Sequence, residues 1–263
     1  MKSFAFTIDL ESEYAGFVDQ SEILKERDKT EKLLSALDSL NVKVTVFVVA
    51  KLFELFPDLI KIFEKHGCEF EVHSFSHNLN NPDSEFEIEQ AKSAYFNYFK
   101  KDPKGYRAPQ GKISKSGIKA MEKHGFLYDS SIFPSYFPNP LRYLFCCKDI
   151  HYHKNSKIME IPFTSISFLR LTLSISYIKL FGMDFYKKLF RLYGLPDVIC
   201  FDSHLHDFFF IESAYNKLSH FWKFIYGRNK FRGIDYCIEF LEHIKREGYQ
   251  FCFMSEIYKL HKR

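Results

Sequence analysis

Ser3-Phe4-Ala5-Phe6-Thr7-Ile8, running straight into Asp9-Leu10-Glu11, is the stretch that decides the fold. A short apolar, β-prone run that stops on carboxylates reads as a buried strand with polar residues at its carboxyl end. Seven further β-rich runs follow, at residues 43–49, 69–72, 105–106, 126–128, 157–161, 198–202 and 250–254. Helical patterns fall between them. Leu33, Leu34, Leu37 and Leu40 share one face over residues 30–40, and Phe86, Ile88, Ala91, Tyr95 and Phe99 share another over residues 84–99. One-sided helices need a sheet to cover. Strand followed by helix along the whole length predicts an α/β parallel sheet, either open and doubly wound or closed as a (β/α) barrel.

A chain of 263 residues suits a single domain, and neither an internal repeat nor a Gly/Ser linker marks a boundary. Two stretches break the alternation and read as insertions on a loop face. Residues 134–155 carry Pro134, Pro138, Pro140, Cys146 and Cys147, and residues 220–232 carry Trp222 and several cations. With 46% hydrophobic and 27% charged residues, 31 Phe and 16 Tyr, the composition excludes low-complexity disorder. A net charge of +4 is too small to argue for a nucleic-acid partner. The six cysteines, Cys68, Cys146, Cys147, Cys200, Cys237 and Cys252, never take the C-x-x-C spacing of a structural zinc or redox site and read as buried thiols. Asp9 and Glu11 follow the first apolar run too closely for a secretory signal, so a cytoplasmic protein is expected. No apolar run reaches the length of about 18 residues that a spanning helix needs, so none is expected, and peripheral contact with a membrane stays open. Oligomeric state leaves no mark in the sequence.

In parallel β/α folds the loops past the carboxyl ends of the strands converge on one rim, and functional residues collect there. Applied strand by strand, that rule selects Asp9 and Glu11, then His73 and His77, Arg107, Asp129, and finally His204, His206 and Asp207. These are the residue types of a metal hydrolase. The His73-Ser74-Phe75-Ser76-His77 spacing says little alone, because 11 histidines give about 0.5 such pairs by chance. Position raises its value: two imidazoles with a carboxylate such as Glu11 form the ligand set of an open catalytic zinc site. Asp9 and Glu11 stand two apart and share a face of an extended segment, so one can hold metal while the other takes a proton. The alternative for these acids is a solvated turn, of the kind Glu13 and Asp19 supply nearby.

The ordered motifs resemble the polysaccharide deacetylase superfamily, the NodB-type carbohydrate esterases, over most of the chain. Thr7-Ile8-Asp9-Leu10-Glu11 looks like the first motif, His73 to His77 the second, Arg107-Ala108-Pro109-Gln110-Gly111 the third, Asp129-Ser130-Ser131 the fourth and Asp202-Ser203-His204 the fifth. The resemblance implies a distorted (β/α) barrel of about seven parallel strands and a divalent metal, zinc foremost. It also implies Glu11, His73 and His77 as metal ligands, Asp9 as general base, His204 as general acid, and Arg107 paired with Asp129 to orient Asp9. The backbone N–H of Gln110 would face the oxyanion, and His206 would touch substrate or point away, with His206 also standing as the second candidate for the acid. The first motif departs from the family's adjacent aspartates, since its second carboxylate is Glu11, displaced by one residue. That D-x-E form is similar to branches acting on formamides and other small amides.

Three functions follow as expectations. The first is metal-dependent removal of an N-acetyl or other N-acyl group from an amino sugar, in a glycan or in a lipid- or nucleotide-linked precursor. The second is deformylation or other C–N hydrolysis, including cyclic amides, on the same site. The third is a catalytically silent glycan-binding protein. Residues 176–195 and 220–232 are both basic and aromatic; they read as a barrel helix and insertion with solvated rims or, on the functional side, as a surface for anionic lipid or a diphosphate. His151 and His153 read as loop histidines, while His66, His124 and His243 suit helix C-termini, where a cationic ring opposes the dipole.

Overall fold

The computed structural model describes residues 2–14, 18–19, 21–135, 146–166, 168 and 170–262. Residues 136–145 of the first expected insertion lie outside the described residues. All eight expected strands are present, two with the expected bounds and the others with ends shifted by up to three residues: β1 Ser3–Leu10, β2 Val44–Val48, β3 Glu69–Val72, β4 Gly105–Tyr106, β5 Tyr128–Asp129, β6 Met159–Glu160, β7 Val198–His204 and β8 Gln250–Phe251. The main helices are α1 Arg27–Ser39, α2 Pro57–Lys65, α3 Glu85–Phe99, α4 Lys115–Lys123, α5 Ile175–Phe181, α6 Met183–Tyr193, α7 His220–Gly227, α8 Gly233–Arg246 and α9 Met254–His261.

The sheet runs β7-β1-β2-β3-β4-β5-β6 with every neighbouring pair parallel, and the short strand His151–Tyr152 adds antiparallel outside β6. Beyond β6 the chain returns to the other edge, where Thr164 N donates to Cys200 O at 3.0 Å and Cys200 N donates to Thr164 Oγ1 at 2.9 Å. These bonds close the ring, so the sheet is a distorted barrel rather than an open doubly wound layer.

Alternation along each strand sorts side chains into two cores. Phe4, Phe6, Ile8, Leu10, Val44, Val46, Val48, Ile199 and Phe201 face out and pack under the helices. Ala5, Phe47, Tyr128, Met159, Ile161, Phe163 and Cys200 face in, and Met254 and Ile257 of α9 close that interior core. The lumen is tight: a Cβ at Gly105 would lie 2.3 Å from the Tyr128 ring. The parity that sends Ala5 and Cys200 inward also sends Thr7, Asp9, Asp202 and His204 inward, which is how the barrel collects its polar residues at one end. Residues 176–195 form two helices rather than one, because Gly182 takes φ +90 between α5 and α6. His66 and His124 cap α2 and α4, and His243 sits in the last turn of α8, as expected.

Candidate metal centre

His73 follows β3 directly and is fixed from both sides. Its backbone N–H donates to Val48 O at 2.8 Å, and its Nδ1 lies 2.9 Å from Arg107 O. A ring nitrogen committed to a carbonyl must carry the proton, which leaves Nε2 as the free lone pair facing the site. The next four residues form a tight loop with positive φ at Ser74 and His77. Glu87 holds that loop: its carboxylate accepts from Phe75 N at 3.0 Å, from Ser76 N at 2.7 Å and from Ser76 Oγ. Because Ser84 caps α3 and Glu87 stands three residues later, the acid that would fill a capping box is turned to cradling the histidine loop instead.

His77 is held in the same manner. Its Nδ1 lies 2.7 Å from Glu13 Oε2, and its Nε2 lies 2.8 Å from Glu11 Oε2. His73 Nε2 is 3.7 Å from that same Glu11 oxygen. The three side chains are all buried, and their ligand atoms lie within 4.8 Å of one another. Burial alone would raise the Glu11 carboxyl, but His77, His73 and His204 hold it well below the usual carboxylate range. For His77, burial works against the charge, yet Glu11 and Glu13 outweigh it and push the ring up to about 10. A proton thus sits where a cation is electrostatically wanted. Two imidazoles with outward nitrogens fixed by acceptors, and inward nitrogens converging on an ionised carboxylate, fit a divalent metal with coordination positions to spare. Glu13, expected to be ordinary surface charge, is instead the group that orients His77; it continues the two-residue series Asp9, Glu11, Glu13, which was the available signal.

Asp9 lies beside this cluster, 3.8 Å from His73 Nε2. Arg107 Nη1 donates to Asp9 Oδ1 and to Thr7 Oγ1, the latter at 2.9 Å. The guanidinium is 1% exposed and lies between the rings of Phe47 and Phe163, at 3.9 and 4.3 Å. Although its desolvation favours the neutral form, Asp9 and Asp202 keep it charged.

The expected Arg107–Asp129 pair is not formed. Asp129 stands opposite Tyr106 in the ladder, one residue out of phase with Arg107, so its side chain leaves on the outer face. There it accepts from Ser131 Oγ and lies 3.2 Å from His153 Nε2, which in turn is 3.3 Å from Glu160. Arg107 instead bonds the next residue, through Nε to Ser130 O and Nη2 to Ser130 Oγ, each at 3.0 Å. Its second acid is Asp202 at 3.7 Å. His153, expected to be a loop histidine, is therefore a buried partner of two carboxylates.

His204 ends β7 with about a fifth of its side chain exposed; its Nε2 lies 4.0 Å from Asp9 and 3.7 Å from Glu11. Nδ1 faces Asp207 and Asp202 at 3.8 and 3.9 Å. Burial disfavours its charge, but those carboxylates raise its pKa well above the ordinary histidine value. Asp207 is anchored by Ser176 Oγ and by the His204 backbone N–H at 2.9 Å, and it stays far below the usual carboxylate range despite burial. A Cβ at Gly233 would lie 1.9 Å from Asp207 O, so α8 can approach this helical turn only because residue 233 is glycine. His206 stacks against His204 at 4.7 Å, and burial lowers its pKa to about 4. Of the two candidates for the acid, His204 lies 4.0 Å from Asp9 and has the raised pKa. Gln110 lies in the turn directly after Arg107, with φ 53 and an exposed side chain.

Residues 7–128 match the polysaccharide deacetylase family profile. A peptidoglycan deacetylase-like protein, FGM2 of Gibberella zeae, is 30% identical over 107 residues, covering 38% of this chain; the chain spans about a third of that relative's length, 32%. The fold is shared with PuuE allantoinase at TM-score 0.63 and 15% identity, covering 98% of this chain and 89% of that one. It is also shared with the polysaccharide deacetylase Bc1974 from Bacillus cereus at TM-score 0.55 and 15% identity, covering 96% and 92%.

Proposed function

The chain carries the fold of the polysaccharide deacetylases and, over residues 7–128, their sequence signature, and from that premise we propose that it is a metal-dependent hydrolase. It removes an N-acyl group, N-acetyl foremost, from an amino sugar in a glycan or in a lipid- or nucleotide-linked glycan precursor. The observation that carries the reading is the convergence of His73 and His77 on Glu11 beside an Asp9 clamped by Arg107.

A divalent metal, zinc foremost, held by His73, His77 and Glu11 would supply Lewis acidity toward the acyl carbonyl and acidify a water toward a pKa of about 7. Asp9, beside these ligands, is placed to accept a proton from the attacking water. Its carboxylate is held in place by Arg107, whose own geometry is locked by Thr7, Ser130 and two aromatic faces. The backbone N–H of Gln110 is the donor assigned to the developing oxyanion; Pro109 has none to give. His204, protonated and held by Asp207, donates to the departing amine through Nε2. His206 stays neutral and buttresses His204 rather than exchanging protons.

The D-x-E first motif favours one second reading, hydrolysis of a formamide or cyclic amide on the same residues. Product analysis separates the two. Zinc-loaded protein incubated with N-acetylglucosamine oligomers and nucleotide-linked N-acetylglucosamine should release acetate, and release should vanish in Asp9→Asn. Formate or a ring-opened acid as the sole product, from the matching substrates, would replace the deacetylase reading.

A further inference from the structure

Helix α7, His220-Phe221-Trp222-Lys223-Phe224-Ile225-Tyr226-Gly227, is the one helix among those described without a buried residue. It is nonetheless seated beside the site. Trp222 and Tyr226 stack at 5.7 Å, and the Tyr226 ring meets His206 edge-on at 5.6 Å. One turn further on, Asn229 Nδ2 donates to Lys179 O at 2.7 Å and pins the following loop to α5. Trp222, Ile225 and Tyr226 thus take the inner face, and the outer stripe at i, i+3 and i+7 is Phe221, Phe224 and Arg228. Phe221 and Phe224 are 55% and 67% exposed, and Phe231 beyond them is 74% exposed.

Along the chain, the charge through this segment is of one sign, with Asp235 pairing Arg232 at its far end. Between Glu212 and Asp235 the chain carries Lys217, Lys223, Arg228, Lys230 and Arg232 and no carboxylate, although acids are nearly as frequent as cations overall, 33 against 37. Exposed phenyl rings flanked by cations, on a helix that touches the site through Tyr226 and His206, complement a surface that is apolar below and anionic above. Exposed rings alone would also suit the apolar face of a sugar, but the run of cations around them has no counterpart in an uncharged polysaccharide and does in an anionic bilayer. No described helix is long and apolar enough to cross a bilayer, so the contact is peripheral.

We propose that α7 and the loop to Phe231 form an interfacial docking surface for an anionic lipid bilayer, with Phe221, Phe224 and Phe231 entering the headgroup region and Lys223 and Arg228 meeting lipid phosphates. The proposal is independent of the hydrolase reading, and the test keeps them apart. Purified full-length chain is floated with vesicles of phosphatidylcholine alone and of phosphatidylcholine with about one third phosphatidylglycerol. The chain should float with the anionic vesicles, lose that binding as salt is raised, and stay behind with the neutral ones. Phe221→Ser/Phe224→Ser should weaken flotation by about tenfold or more, and Lys223→Glu/Arg228→Glu should do the same. Both variants should keep the parent's thermal melt and its acetate release from a short soluble N-acetylated oligosaccharide. No retention on anionic vesicles overturns the proposal, as does flotation unchanged in both variants. A Phe221- and Phe224-dependent dimer, or binding to insoluble N-acetylated polysaccharide, in place of vesicle binding also overturns it. Vesicle binding without acetate release would contradict the hydrolase and leave the surface standing.

Discussion

The barrel holds two buried histidine–carboxylate clusters that look alike on paper. Glu11, His73 and His77 form one, and Asp129, His153 and Glu160 form the other; each brings its ligand atoms within 4.8 Å of one another. In the first, both outward ring nitrogens are engaged by Arg107 O and Glu13, both inward ones face a strongly ionised carboxylate, and Asp9 and His204 stand alongside. In the second, one histidine sits between two carboxylates on the outer face of the sheet. The Glu160 carboxyl there is pushed up to about 8 by burial and by Asp129, and its Oε1 accepts from Ile132 N at 2.9 Å. Having the ligands is thus not the distinguishing feature. What differs is strand parity, which opens one cluster into the polar end of the lumen and folds the other into packing.

That contrast is broken most severely at the first cluster. His73→Ala or His77→Ala should abolish stoichiometric metal binding and lower kcat/KM by at least about a thousandfold, while the same change at His153 should leave metal content and turnover within about twofold. Metal analysis and acetate release on the same samples decide it. Asp9→Asn comes next: kcat should fall by about a hundred- to ten-thousandfold with metal retained, because the base is lost and the ligands are not. A smaller effect is expected at Asp207→Asn, about ten- to a hundredfold in kcat. Removing that anion lowers the His204 pKa, so the alkaline limb of the kcat profile should move to lower pH. The smallest effect belongs to the second cluster. Burial opposes the charge on His153, yet Asp129 and Glu160 raise it to about 10, above its unfolded value near 6.5. The stabilisation is therefore complete below pH about 6.5 and is lost as pH rises through about 10. His153→Gln should cost about 2 kcal/mol at neutral pH and flatten stability between those limits, as read by denaturant unfolding.

The sequence carried the barrel well because each strand is an apolar run ending on a polar residue, and the period of two already separates Phe4, Phe6 and Ile8 from Ala5, Thr7 and Asp9. The same period, applied across strands, would have separated Asp129 from Arg107, but it needs the ladder register, and that is set by tertiary pairing of two-residue strands with no internal pattern. Ring closure through Thr164 and Cys200 depends on the path after β6, where the sequence shows no regular element. At the site, His73, His77, Asp9 and His204 were legible from strand ends. Glu13 was signalled only by the two-residue series from Asp9 and Asp202 only as part of a motif, while the roles of Glu87 and Ser176 were not legible, since each orients a residue brought near by tertiary packing. The surroundings favour His204 over His206: the strand gives way to a helical turn at Leu205, the two rings stack, and His204 Nε2 lies within 4.0 Å of Asp9 and Glu11.

The central claim is that His73, His77 and Glu11 hold a metal for chemistry in which Asp9 is the base. The direct measurement is metal content and acetate release, in parallel, on zinc-loaded parent and Asp9→Asn protein with N-acetylglucosamine oligomers. The account predicts one metal per chain in both proteins and acetate from the parent alone. A chain that holds no stoichiometric metal, or an Asp9→Asn protein that releases acetate as fast as the parent, would contradict it.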